Sequence, residues 1–108
     1  MITYSVNNYG LRQKDMDYMF RIFDNIPGIE KVILYGSRAT GGFKKGADVD
    51  LAVVGEGVTT SNIARIHFLL ENESPTFLWF DVLHYDTLKS DTLKNEIDTF
   101  GKVLYTRI

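Results

Sequence analysis

The run Val49-Asp50-Leu51-Ala52-Val53-Val54 constrains this chain more than any other segment. It is apolar almost throughout, too short for a buried helix, and bounded by Gly46 on one side and by Gly55 and Gly57 on the other. That pattern suits a central β-strand buried on both faces. A second β-rich run, Lys31 to Tyr35, ends at Gly36. The two runs are separated by about a dozen residues with room for a single helical turn, too little for a full crossover helix, so a mixed sheet is expected.

Periodicity supplies the remaining elements. Leu11, Met16, Met19, Phe20, Phe23 and Ile26 recur at three- and four-residue steps and predict an amphipathic helix, stopped by Pro27-Gly28. Thr60 or Ser61 is placed to cap a second helix to about Glu71, with Ile63, Ile66, Leu69 and Leu70 on one face. Pro75 precedes an aromatic-rich strand, Thr76 to Tyr85. Asp86 or Thr87 then caps a third helix through Leu88, Leu93 and Ile97 to Phe100, closed by Gly101, and Lys102 to Arg107 reads as a last strand. The expected fold is α/β, a small mixed sheet with helices mainly on one face. A length of 108 residues fits one domain, 1–108.

Composition excludes several classes. Twelve Lys+Arg against 14 Asp+Glu give a formal charge of -2, whereas duplex binders carry a basic excess to neutralise phosphates, so a nucleic-acid role is disfavoured. No apolar run approaches the ~18 residues that cross a bilayer, and Met1 to Arg12 reads as neither signal nor transit peptide. The absence of cysteine removes disulfides and thiolate metal sites and favours a cytoplasmic setting. His67 and His84 lie far apart and form no zinc pattern. There is no Walker A sequence and no Gly-x-Gly-x-x-Gly.

The chemistry concentrates in Gly36-Ser37-Arg38-Ala39-Thr40-Gly41, then Gly42-Phe43-Lys44-Lys45-Gly46, then Ala47-Asp48-Val49-Asp50-Leu51. A strand ending in Gly-Ser and turning into a helix start presents backbone N–H groups and a hydroxyl together, a site for phosphate oxygens. Gly36 permits close backbone approach, and Arg38 would add a guanidinium fork. Asp48 and Asp50, two apart on a strand, project from one face. Carboxylates held so close repel unless a cation lies between them, and magnesium with its preference for oxygen ligands suits them. Taken singly, a Gly-Ser pair is usually a turn and an Asp-x-Asp a solvated edge. A solvated edge does not explain two acids leading directly into Leu51-Ala52-Val53-Val54. Lys44 and Lys45 either steer a triphosphate or sit in a solvated loop.

Gly36-Ser37-Arg38-Ala39-x-Gly41 followed by Asp48-x-Asp50-Leu51 resembles the signature of the minimal nucleotidyltransferases of the DNA polymerase beta superfamily. The resemblance implies a nucleotidyltransferase fold, a Gly36/Ser37/Arg38 turn on the triphosphate, and Asp48 and Asp50 as magnesium ligands and catalytic residues. A third acid is implied on a neighbouring strand. Asp81, within the apolar Phe80-Asp81-Val82-Leu83, is the best match, since a lone carboxylate in a buried strand is costly; the alternative is a surface Asp on an edge strand. Ala47 departs from the family, which often has Ser there. Minimal domains of this type are commonly paired with an all-helical HEPN toxin, and the resemblance implies AMP transfer from ATP to a tyrosine of that partner. A non-catalytic antitoxin and a nucleotide-sensing module are the rival readings, and self-association stays open. Phe77, Trp79 and Asp81 share strand parity, so the two aromatics mark a face for a partner or a nucleobase, unless the chain itself buries them.

Overall fold

The computed structural model describes residues 7–72 and 78–107. Helix α1 spans Gln13–Asp24 and buries Met19, Ile22 and Phe23, with Met16 and Phe20 packed alongside. Its first turn is closed by Asp15, whose carboxylate accepts the Arg12 backbone N–H at 2.9 Å, as in half a capping box. Strand β1, Lys31–Tyr35, leads through Gly36 into a single helical turn, α2, Ser37–Thr40. Strand β2 spans Val49–Val54, helix α3 Thr60–Asn72 and strand β3 Phe80–His84. A 3-10 turn, Tyr85–Thr87, precedes helix α4, Asp91–Phe100, and strand β4, Lys102–Thr106, ends the order.

The four strands form one mixed sheet in the order β3-β2-β1-β4. β1 pairs antiparallel with both β2 and β4, while β2 and β3 are parallel. The mixed sheet follows from the short β1–β2 link, and α3 supplies the crossover that the parallel β2–β3 pair needs. Side chains alternate across the pleat. Val32, Leu34, Val49, Leu51 and Val53 join the side chains of α1 and α3 in the larger core cluster. Ile33, Tyr35 and Ala52 lie on the opposite face, where Ile97 and Leu93 of α4 cover them. Two long helices thus cover one face and one covers part of the other.

The start of α4 differs from the sequence expectation. Ser90 is the N-cap, its hydroxyl accepting the Leu93 N–H at 3.2 Å. Asp86 instead accepts the Gly55 N–H at 2.9 Å, so its oxygen is spent across the sheet and is not free to cap a helix. Strand β3 is also shorter than expected, starting at Phe80; positions 76 and 77 lie outside the described residues.

Candidate active site

At the end of β1 the backbone turns sharply at Gly36, with φ +77° and ψ -158°, a conformation that L side chains rarely adopt. A Cβ at this position would collide with Asp50 Oδ2. The glycine therefore does two jobs: it permits the turn and leaves the space that the Asp50 carboxylate occupies. The Gly36 carbonyl accepts the Ala39 N–H at 3.1 Å and the Thr40 N–H at 3.2 Å. Ser37 is exposed at the head of this turn, where the leading N–H groups lack helical acceptors.

The sheet register brings the acids together. Asp50 lies directly between Tyr35 of β1 and Asp81 of β3, its Cα partners on either side. Directly paired residues share a face, so Tyr35, Asp50 and Asp81 project to the same side. This is the α4 face, at the end that α4 leaves open. Asp48 stands just before β2, which begins at Val49, and its negative charge acts on Asp50. Asp50 is half-buried, while Asp48 and Asp81 are exposed. Exposure of Asp81 corrects the argument from burial: β3 is an edge strand, and its acid stands in solvent beside Asp50.

The electrostatics register the same grouping. Asp50 is pushed up to about 6, first by burial and then by the negative charges of Asp81, Asp48 and Glu96, with Arg38 opposing. The Tyr35 phenol is pushed above its ordinary range by burial and by Asp81, Asp50 and Glu96, which keeps it a neutral O–H donor. Tyr35 and Glu96 were not singled out in the sequence. Glu96 adjoins the buried Ile97 on α4, and nothing in its local pattern reveals that α4 folds back over the acid-bearing face.

Arg38 has a different place from the one its motif suggests. It is 3 % exposed. Its Nε and Nη2 both donate to the Ala47 carbonyl, at 3.1 and 2.8 Å, and Nη1 donates to the carbonyls of Tyr9 and Gly10, at 2.9 and 3.2 Å. The guanidinium carbon lies 5.0 Å from the centre of the Phe43 ring. Burial lowers its pKa, with Asp15, Asp48 and Asp50 opposing. Two of these contacts tie the Gly36 turn to the residue before Asp48 and two tie it to Tyr9 and Gly10, so Arg38 braces the loop from beneath.

Lys44 and Lys45 are exposed in that loop. His67 and His84 are hydrogen-bonded to backbone carbonyls of Phe80 and Gly55, at 3.0 and 2.8 Å, in keeping with structural roles. Trp79 is 65 % exposed beside Asp81, and Phe77 lies outside the described residues. Among the described residues no helix is long and apolar enough to cross a membrane. Nor do any three His, Cys, Asp or Glu side chains, as they stand, approach closely enough to enclose a metal ion. The donor set nevertheless fits a hard divalent cation: all three groups are carboxylates, Asp50 and Asp81 share one face, and burial together with the charges of Asp81 and Asp48 raises Asp50.

No curated protein sequence matches the chain. Among solved structures, a toxin–antitoxin complex with AMP-PNP aligns with TM-score 0.69 at 22% identity, covering 84% of this chain and 73% of the other. The tri-AMPylated Shewanella oneidensis HEPN toxin in complex with MNT antitoxin aligns with TM-score 0.65 at 21% identity, covering 87% and 71%. An MntA–HepT toxin–antitoxin structure gives TM-score 0.65 at 20% identity, covering 87% and 72%. At such identities these similarities show a shared fold. The polymerase beta nucleotidyltransferase family profile matches residues 19–108, spanning both the glycine turn and all three aspartates. The chain belongs to the polymerase beta nucleotidyltransferase family.

Proposed function

We propose that this domain is a magnesium-dependent adenylyltransferase that moves AMP from ATP to a tyrosine of a HEPN-type partner, and so acts as an antitoxin in the cytoplasm. The observation that carries the reading is that the Asp50 carboxylate occupies the space a Cβ at Gly36 would need, with Asp81 paired beside it on the same face. A phosphate-binding turn and an acidic group are thereby adjacent. Relatives of the same fold in complexes with AMP-PNP and with an AMPylated toxin support the donor and the acceptor.

Asp48, Asp50 and Asp81 would hold magnesium, which when bound neutralises charge on the triphosphate and on the departing pyrophosphate. Ser37 and the N–H groups of the Gly36 turn bind the phosphate oxygens and orient the α-phosphorus towards the acids. Arg38 serves this by holding the turn, its carbonyl contacts leaving the triphosphate to the backbone. Asp81, exposed at the edge, accepts the proton of the attacking hydroxyl as the new O–P bond forms and the bond to pyrophosphate breaks. Trp79, exposed beside it, offers a surface for the nucleobase or the acceptor protein.

One rival reading is a domain that neutralises its partner by covering it, without turnover. Incubation with labelled ATP, Mg2+ and the HEPN partner decides between them. Label on a partner tyrosine with release of pyrophosphate supports transfer; calorimetric ATP binding without pyrophosphate release supports the covering role.

A further inference from the structure

Strand β3 is an edge strand, so half of its backbone groups have no strand to pair with. The Trp79 carbonyl faces β2, accepting the Val49 N–H at 2.8 Å. Backbone direction alternates along a strand, so the N–H and C=O of Phe80 face outwards, away from β2. They are not left to solvent. Glu71 Oε1 accepts the Phe80 N–H at 3.2 Å, and His67 Nε2 lies 3.0 Å from the Phe80 carbonyl oxygen. The same His67 Nε2 lies 2.9 Å from Glu71 Oε1. Both neighbours of this nitrogen are acceptors, so it carries the proton and donates. His67 and Glu71 are four apart on α3, side by side on one helical face. They form a closed triangle around both polar groups of one peptide residue.

That residue immediately precedes Asp81. We infer that His67 and Glu71 are positioning residues for Asp81: they clamp the Phe80 backbone from outside and hold the edge strand, with its acid, in register beside Asp50. The inference rests on the proposed catalytic role of Asp81 and adds two residues to it. Without the clamp, the outward N–H and C=O of Phe80 lose the partners that α3 gives them, and an edge strand frays most readily at its first residues. Fraying there would withdraw the third acid while leaving Gly36, Ser37, Asp48 and Asp50 in place. The expected defect is thus one of cation affinity.

The test uses the full chain and two readouts. Amide hydrogen exchange at Phe80 reports the clamp directly and needs no ion. Mn2+ titrated in the presence of a non-hydrolysable ATP analogue reports the acid set. Glu71→Ala should accelerate exchange at Phe80 and weaken Mn2+ binding by about tenfold, the scale seen when residues supporting a ligand are removed. Transfer should recover at saturating metal. Glu71→Gln, which keeps an acceptor oxygen, should restore both readouts, and His67→Ala should move both in the direction of Glu71→Ala. Asn72→Ala, a neighbouring change on the same helix, should alter neither. Unchanged Phe80 exchange in Glu71→Ala overturns the clamp. Faster exchange with unaltered Mn2+ affinity overturns the positioning role. If wild-type protein binds no Mn2+, the metal reading fails and the positioning role falls with it, while Phe80 exchange still shows whether the clamp itself exists.

Discussion

The two faces of β2 lie one residue apart and obey opposite rules. Val49, Leu51 and Val53 point into the α1–α3 side and are wholly buried among apolar side chains. Asp50 points the other way, into a half-open end flanked by Asp81 and Tyr35 and overlooked by Glu96. The first face is packed for stability; the second holds mutually repelling charge. The difference teaches that the strand's buried face supplies the rigidity against which the unfavourable face is held, a division expected when a site is strained and its scaffold is not.

The comparison breaks most severely when an acid is neutralised. Asp50→Asn or Asp48→Asn should slow transfer by about 1000-fold, about 4 kcal/mol of barrier, as for loss of a preorganised electrostatic group. Circular dichroism should show the fold intact, and pyrophosphate release measures the loss. Full activity in either variant would remove the acid from the mechanism.

On the packed face the next effect is thermodynamic. Leu51→Ala should cost about 3 kcal/mol of stability, within the range for a buried leucine, as read from the denaturant midpoint. The folded fraction should keep its Mg2+ dependence. Loss of metal response without loss of stability would mean that the two faces are not separable.

Gly36→Ala sharpens the boundary between them. The added Cβ meets Asp50 Oδ2, and the φ of +77° is strained for alanine, so about 1–3 kcal/mol of destabilisation is expected together with weaker ATP binding by calorimetry. Unchanged affinity would detach the glycine turn from the nucleotide.

The smallest effect is a pH dependence of inverted sign. Asp50 is raised from 3.8 to about 6 in the folded state, so the folded chain holds a proton that the unfolded chain releases. Stability of the metal-free protein should therefore rise as pH falls from about 7 through 6 towards 4, the opposite of an ion-paired carboxylate. Asp50 is only half-buried, and solvent screening limits the effect to about 1 kcal/mol. Asp50→Asn should flatten the slope in thermal melts; an unaltered slope would assign it to other groups.

Much of this was legible in the residues. β1 and β2 appear at the expected bounds because each is an apolar run closed by glycine, a local signal. The place of Asp81 beside Asp50 follows in outline from the family resemblance, which implies a third acid on a neighbouring strand. The exposure of Asp81 does not, because edge position depends on sheet order. Arg38 looked like a phosphate ligand, since an arginine after Gly-Ser has that chemistry; its burial under Phe43 and the Tyr9, Gly10 and Ala47 carbonyls depends on distant chain folding back. Asp86 offered a plausible helix cap, yet Gly55, distant in sequence, takes its oxygen. Local chemistry names candidates, and tertiary contacts decide which of them remain available.

The central claim is that Asp50 and Asp81 act as one set on one face. Pyrophosphate release by wild type, Asp50→Asn, Asp81→Asn and the double variant, with ATP, Mg2+ and the HEPN partner present, tests it most directly. Members of one set should lose activity together, the double variant being hardly slower than either single one. Losses that simply multiply, or an Asp81→Asn protein as active as wild type, would contradict it.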